Sequence, residues 1–336
     1  MNLKIPRLAN DRGYFAGIIG DKPSRYSKSP AIWNAAFRKI GLDAAYVPFD
    51  VDAGHLKTLI QKLEEKPGFL GLNVTIPHKE RIVRLSLLDA LNSEAKRVKA
   101  VNVIARNSKR KLVGYNTDGE GAVRSLLDVL PGQKKPFFKS LSGLTVILLG
   151  AGGSARAVAF AVAGKLGSQG RLLLMNRTRK KAEELGRSIN KIWHNGRVLK
   201  NNTELEKALP ESDLLINATA IGQSSFGNER YSALGPMNIL RSPEKDLKNN
   251  LRISRSRMKR LPPKAKLFDL IYSPAETVFL RQGCATGHDI LNGKNMILWQ
   301  AAASFLILMK TSGLQQYASP RMEKKVLNAM STSWVS

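Results

Sequence analysis

The sequence predicts a mixed α/β chain of two domains, the second of the doubly wound kind. Three observations lead there. Strand-like apolar runs alternate with helix-like segments from residue 14 onward. That alternation builds a largely parallel sheet with right-handed crossovers. A Pro/Lys/Gly stretch at 131–142 interrupts the pattern, and its composition suits a linker. The pattern then restarts with a strand, a glycine-rich turn and an alanine-rich helix.

The elements follow in order. YFAGIIG at 14–20 reads as a short buried strand. Ser29-Pro30 opens a helix, with Ser29 as N-cap and Pro30 in the first helical position. Ile32, Trp33, Ala36, Phe37 and Ile40 keep helical spacing, and Gly41 ends it. Residues 45–51 are the next strand, Leu56, Leu59, Ile60 and Leu63 mark a helix, and 69–75 is a strand again. A helix starts at Pro77-His78-Lys79. Segments 101–106 and 111–116 flank a hairpin turn, and Asp118-Gly119 starts a helix through Leu130. In the second half, 145–149, 171–175, 213–219 and 266–272 are strands, and 296–310 is a strongly apolar helix.

Composition narrows the function classes. At 336 residues and 43% hydrophobic, the chain is long and apolar enough for real cores. The 296–310 segment is too short and too polar to span a bilayer, being interrupted by Gln300 and Ser304. No secretory signal is visible, so a cytoplasmic protein is expected. A single cysteine, Cys284, excludes an intrachain disulfide. The four histidines lack ligand-like spacing, so no metal is expected. The net charge is +28. Residues 241–266 hold ten Lys/Arg against two acids, which reads as a basic surface insertion. No aromatic residues interleave with it, as base stacking would want. Nucleic acid is therefore disfavoured as a ligand, and steering of anionic small molecules fits as well.

The turn after the strand at 145–149 reads Gly150-Ala151-Gly152-Gly153-Ser154-Ala155. Strand, G-x-G-x-x-A and helix form the dinucleotide-binding fingerprint of the Rossmann fold. Gly150 permits the tight turn, Gly152 lets the backbone approach a pyrophosphate, and Ala155 allows close helix–strand packing. The helix N-terminus attracts phosphate. The next strand runs into Asn176-Arg177-Thr178-Arg179-Lys180-Lys181. An acid for the ribose 2′-hydroxyl is absent there. Arg177, Arg179 and Lys181 suit a 2′-phosphate instead, which makes NADP the expected cofactor.

Four polar clusters mark the first half. Ser27-Lys28-Ser29-Pro30 places two hydroxyls at a helix start, where a carboxylate would sit. Asn73-Val74-Thr75 leaves a strand beside Lys79. With Pro77 in the first helical turn, Lys79 faces the positive end of the dipole, which costs stability but favours release of its proton. Asn102 lies on a strand, and Asn116-Thr117-Asp118 joins a strand to a helix. Taken singly, each cluster also has a plain structural reading, such as capping by Asp118.

Taken together, in order and spacing, the clusters resemble the shikimate dehydrogenases. The matching motifs are Ser27-Lys28-Ser29-Pro30, Asn73-Val74-Thr75-Ile76-Pro77-His78-Lys79, Ala100-Val101-Asn102, Asn116-Thr117-Asp118-Gly119, Gly150 to Ala155, Asn176-Arg177-Thr178, Ile216-Asn217-Ala218-Thr219, Asp269-Leu270-Ile271-Tyr272-Ser273-Pro274, and Gly293 through Met296 to Gln300-Ala301-Ala302. The resemblance implies an α/β substrate domain over 1–121, an NADP-binding Rossmann domain over 122–292 with a central cleft, and C-terminal helices over 293–336 packing back on the substrate domain. It implies Ser27 and Ser29 on the substrate carboxylate. It places Asn73, Thr75, Asn102, Asp118 and Gln300 on ring hydroxyls, with Tyr272 closing the site. Lys79 and Asp118 would be the catalytic pair. NADP would lie on Gly150, Ala151, Gly152, Gly153, Ser154, Asn176, Arg177, Thr178, Lys181, Leu270 and Gly293. The reaction would be reversible reduction of 3-dehydroshikimate to shikimate, in aromatic amino acid biosynthesis, by a monomer or homodimer. Alternatives are a quinate/shikimate enzyme of relaxed specificity and a basic nucleic-acid-binding protein on the same scaffold. Departures from the family pattern are Tyr26 in place of His, a longer turn at 21–25, Ala220 where Ser is frequent, and the basic insertion.

Overall fold

A computed structural model describes residues 13–224, 227–237 and 243–334. The chain divides into two compact units. The first runs to Arg124 and takes in Val129–Lys135 and the chain from Ile297 onward; the second comprises Ser125–Asp128 and Pro136–Met296.

The first unit contains β1 (Tyr14–Gly20), α1 (Pro23–Tyr26), α2 (Ser29–Ile40), β2 (Ala44–Asp50), α3 (Leu56–Glu64), β3 (Phe69–Val74), α4 (Lys79–Arg84), β4 (Ala90–Leu91), α5 (Ser93–Val98), β5 (Val103–Arg106), β6 (Leu112–Tyr115) and α6 (Asp118–Leu127). Its sheet order is β2-β1-β3-β5-β6-β4. The first three strands are parallel, while β5 runs antiparallel to both β3 and β6. The hairpin expected at 107–110 joins β5 to β6 and sets the antiparallel pairing of those two. Asn107 closes it by accepting from the backbone of Lys109 and Lys111, a side-chain mimic of a turn bond. Alternate residues of β1 enter different cores, as the two-residue period requires. Ala16 and Ile18 join Trp33, Phe37, Phe305 and Val326, whereas Phe15 and Ile19 join Leu56, Leu59 and Leu63.

The second unit contains β7 (Thr145–Leu149), α7 (Gly153–Leu166), β8 (Arg171–Met175), α8 (Arg179–Asn190), β9 (Gly196–Val198), α9 (Asn202–Ala208), β10 (Leu214–Asn217), α10 (Pro243–Met258), β11 (Lys266–Asp269), α11 (Val278–Cys284) and β12 (Ile290–Leu291). All its strand pairs are parallel, in the order β12-β11-β10-β7-β8-β9. This is the doubly wound order, whose switch point lies between β7 and β10. Two helices follow, α12 (Lys294–Thr311) and α13 (Pro320–Thr332). Apolar residues surround α12 because Leu298, Phe305 and Leu308 are wholly buried in the core of the first unit.

Three expectations need correction. Ser29 is not the N-cap of α2; it is the first helical residue, and Ser27 Oγ accepts from its amide at 3.2 Å. Pro77 precedes α4 in a cis Ile76–Pro77 peptide, so that Lys79 is the first helical residue. The basic run is not a loose surface insertion. Its first residue, Arg241, lies outside the described residues, but most of the rest forms α10. Leu247, Asn250, Ser254, Arg257 and Met258 are buried along one face. Asn250 bonds the backbone at Ser232 and Pro236, and Arg257 bonds Glu206 and the Leu234 carbonyl. An inward face that is largely polar escapes a search for apolar periodicity.

Asp269, at the end of β11, is wholly buried. Burial pushes its carboxyl up to about 7, against the opposing pull of hydrogen bonds from Thr277, Ile271 and Asn217. The folded state therefore keeps a proton that the unfolded chain loses near 3.8. Its contribution to stability is full below that value, declines as pH rises to about 7 and is flat beyond. The melting temperature of Asp269→Asn, relative to the parent, should accordingly climb between pH 4 and 7 and then level off. A constant offset in thermal scans across that range would contradict this.

Candidate active site

The polar residues of the first unit converge at the ends of β3, β5 and β6 and on the buried side of α12. Lys79 opens α4, and its Nζ donates to Asp118 Oδ2 at 2.6 Å. The aspartate side chain is 1% exposed and the lysine side chain 15%. The pair is nearly out of water yet reachable from the lysine side. A carboxylate so placed needs strong partners.

Asn102 supplies the next one. Its amide nitrogen lies 2.8 Å from Asp118 Oδ1, 3.0 Å from Thr117 Oγ1 and 3.2 Å from Gln300 Oε1. Its Oδ1 accepts from the Thr117 amide at 2.8 Å. The Asn116 side chain secures the turn by accepting from the Asp118 amide and donating to the Ala100 carbonyl. Gln300, expected as a substrate contact, thus sits within the same cluster. Its backbone carbonyl accepts from Ser304 Oγ at 2.7 Å.

Asn73 completes the floor. Its amide nitrogen lies 3.3 Å from the Asn102 carbonyl and 3.2 Å from Ser304 Oγ, and its Oδ1 accepts from the Tyr46 hydroxyl at 2.7 Å. Burial pushes the Tyr46 phenol well above the ordinary value. It stacks on Trp33 at 4.7 Å between ring centroids. Thr75 lies just past β3, its amide donating to the Ile19 carbonyl at 2.9 Å, and burial raises the Tyr26 phenol. Ser27, Ser29, Asn73, Thr75, Lys79, Asn102, Asp118 and Gln300 therefore all lie in the first unit, several linked directly. Tyr46, Ser304 and Thr117 were not among the expected site residues. Ser304 carried a signal: with Gln300 it forms a polar i, i+4 pair in an otherwise apolar helix.

The second unit holds the expected cofactor residues. Gly150 has φ 118°, and a Cβ there would lie 2.8 Å from the Ala218 carbonyl oxygen. The protein itself therefore demands a glycine. Gly152 differs: a Cβ there would meet nothing within 4 Å. Packing within the protein does not require that glycine, which is the N-cap of α7. Ala151 lies in this turn, and Gly153 and Ser154 are the first residues of α7. Past β8, Asn176 donates to the Thr178 carbonyl at 2.9 Å. Arg177 and Lys181 are exposed and join no ion pair among the described residues, while Arg179 is engaged by Glu183. Gly293 N donates to the Ile271 carbonyl at 2.9 Å, beside Leu270 and the half-buried Tyr272. Among the described residues no cluster of His, Cys, Asp or Glu could hold a metal, and no helix is long and apolar enough to cross a membrane.

Known proteins match both units. The sequence model described as the shikimate dehydrogenase substrate binding domain matches residues 18–104, and that described as shikimate / quinate 5-dehydrogenase matches residues 133–238. A shikimate dehydrogenase (NADP(+)) of Desulforamulus reducens is 36% identical, over 88% of this chain and 90% of its own. The chain belongs to the shikimate dehydrogenase family. A shikimate dehydrogenase solved in complex with NADP+ superposes with a TM-score of 0.71 at 30% identity, covering 97% of this chain and 98% of its own. The shikimate 5-dehydrogenase of Listeria monocytogenes, solved with shikimate and NAD, gives 0.71 at 28% identity over 94% and 98%.

Asn102 is the shared support of the Lys79–Asp118 pair. Asn102→Ala should strip partners from the Thr117 amide and the carboxylate together, costing roughly 1–3 kcal/mol. The check is the urea midpoint at unchanged m-value; an unshifted midpoint would contradict the role.

Proposed function

We propose that this protein is an NADP-dependent shikimate dehydrogenase that reversibly reduces 3-dehydroshikimate to shikimate. The observation that carries this is the Lys79–Asp118 contact of 2.6 Å, embedded in buried amides. On this reading residues 1–121 and the helices from 293 onward hold substrate, and residues 122–292 hold the cofactor.

Substrate recognition follows from the side-chain inventory. Ser27 and Ser29 offer hydroxyl donors to the carboxylate. Asn73, Thr75, Asn102 and Gln300 offer donors and acceptors to the ring hydroxyls. Every one of these groups is neutral, so the charge at the reacting oxygen is left to Lys79 and Asp118. In the reductive direction, Lys79 stabilises negative charge developing on the carbonyl oxygen and gives it a proton. Asp118 holds the ammonium in place, takes a share of the proton traffic and accepts from the substrate hydroxyl. In the oxidative direction the same pair removes the hydroxyl proton.

NADPH, when bound, supplies the hydride. Gly150, Ala151, Gly152, Gly153 and Ser154 would take its pyrophosphate. Asn176, Arg177, Thr178 and Lys181 would take the adenosine ribose and its 2′-phosphate, with Leu270 and Gly293 at the other end. The open space at Gly152 and the unengaged Arg177 and Lys181 support that fit.

Absorbance at the reduced-nicotinamide band tests the reading, with shikimate or quinate supplied against NADP+ or NAD+. Turnover confined to shikimate and NADP+ is expected. Comparable turnover of quinate, or none in any pairing, would overturn it. Lys79→Ala should lower kcat about 10²- to 10⁴-fold while KM for shikimate moves about threefold at most. A near-parental kcat would remove Lys79 from the chemistry. Arg177→Ala should raise KM for NADP+ about tenfold and leave KM for NAD+ nearly unchanged. Equal effects on both cofactors would place Arg177 elsewhere.

A further inference from the structure

Fully buried Asn217, Asp269 and Thr277 stand at the ends of β10 and β11 and the start of α11. Asp269 Oδ1 accepts from Asn217 Nδ2 at 3.0 Å and from the Ile271 amide at 3.0 Å. Its Oδ2 accepts from Thr277 Oγ1 at 2.7 Å. Asn217 in turn accepts from the Thr219 amide and hydroxyl and donates to the Ile221 carbonyl. Thr277 caps α11 by accepting from the Leu280 amide. One carboxylate thus ties together two strand ends, a helix start and the loops between them.

The sheet does not need this knot. The strands β10 and β11 are already paired through their backbones, and burying polar groups is costly. What the knot does fix is two loops, 218–222 and 270–277. The first presses on the glycine-rich turn, where a Cβ on Gly150 would meet the Ala218 carbonyl. The second is braced against Gly293: a Cβ there would come within 2.1 Å of the Leu270 carbonyl oxygen. Tyr272 lies on that second loop. In a doubly wound sheet, ligands bind beyond these strand ends.

We propose that Asp269 is a positioning residue, holding the 218–222 and 270–277 loops in the conformation that engages NADP. The inference rests on the dehydrogenase reading above. Asp269 acts through the loops and touches neither the cofactor nor the reacting atoms.

The test uses the full chain well below its melting temperature. Kd for NADP+ is measured by fluorescence titration. Asp269→Ala and Thr277→Val should each raise Kd for NADP+ at least about fivefold, with Asp269→Asn, which keeps the Oδ1 acceptor, within about threefold. Thr277→Ser, which keeps the hydroxyl, should match the parent. Folded Asp269→Ala or Thr277→Val protein that melts earlier but binds NADP+ as the parent does would overturn the proposal. Should Asp269→Ala not fold, Thr277→Val decides alone. A parent protein that neither binds NADP+ nor oxidises shikimate would defeat the dehydrogenase reading and this inference with it.

Discussion

A carboxylate with 1% of its side chain exposed cannot stay charged unless its oxygens are answered, and the polar architecture of the first unit is built around Asp118. Lys79 reaches one oxygen and Asn102 the other. Asn102 must then be oriented, which Thr117 and Gln300 do. Gln300 and Ser304 require α12 to lie with that side toward β3, β5 and β6. The long return of the chain from Ile297 is therefore no appendage to the first unit. It brings the last polar partners to a site whose other members come from residues 73–118. Such a pair is weak evidence for stability, because desolvation offsets much of its attraction. Its value is chemical: a lysine held 2.6 Å from its aspartate and partly open to a ligand.

The second unit answers a different demand. A dinucleotide site needs backbone, not side chains, close to the ligand. Gly150 is required because the neighbouring strand end crowds it, whereas nothing within the protein crowds Gly152. The strand ends that crowd Gly150 and Gly293 are themselves held by a buried carboxylate, Asp269. The two units thus share one device, an aspartate whose burial is tolerated because amides and hydroxyls surround it. In Asp118 the device faces a cation; in Asp269 it faces neutral donors only, and its carboxyl rises to about 7.

What was legible in the sequence was whatever is encoded locally. The turn at Gly150 to Ala155 lies between a strand and a helix, so its phosphate-binding geometry follows from a few consecutive residues. The basic residues at 177–181 fall where the second strand ends, and that spacing points to a 2′-phosphate. Asn73, Lys79, Asn102 and Asp118 stood out as polar residues at element ends. Tyr46 did not, because an aromatic residue inside a strand looks like core until its hydroxyl is seen to reach Asn73. Ser304 is separated from its partner Asn73 by 231 residues, a pairing that only tertiary structure reveals. The register of the helix start at Ser27–Ser29 also depended on the fold, since either hydroxyl satisfies a capping rule. In α10 the inward face carries Asn250, Ser254 and Arg257, so a positively charged surface segment and a packed helix have nearly the same sequence signature.

The central claim is that Lys79 and Asp118 act as one unit. The measurement that tests it most directly is a double-mutant cycle on kcat with Lys79→Ala, Asp118→Asn and the double variant. Groups that act together are strongly non-additive. The double variant should be about as slow as the more impaired single variant. If the two losses multiply, each residue contributes on its own and the paired mechanism is wrong.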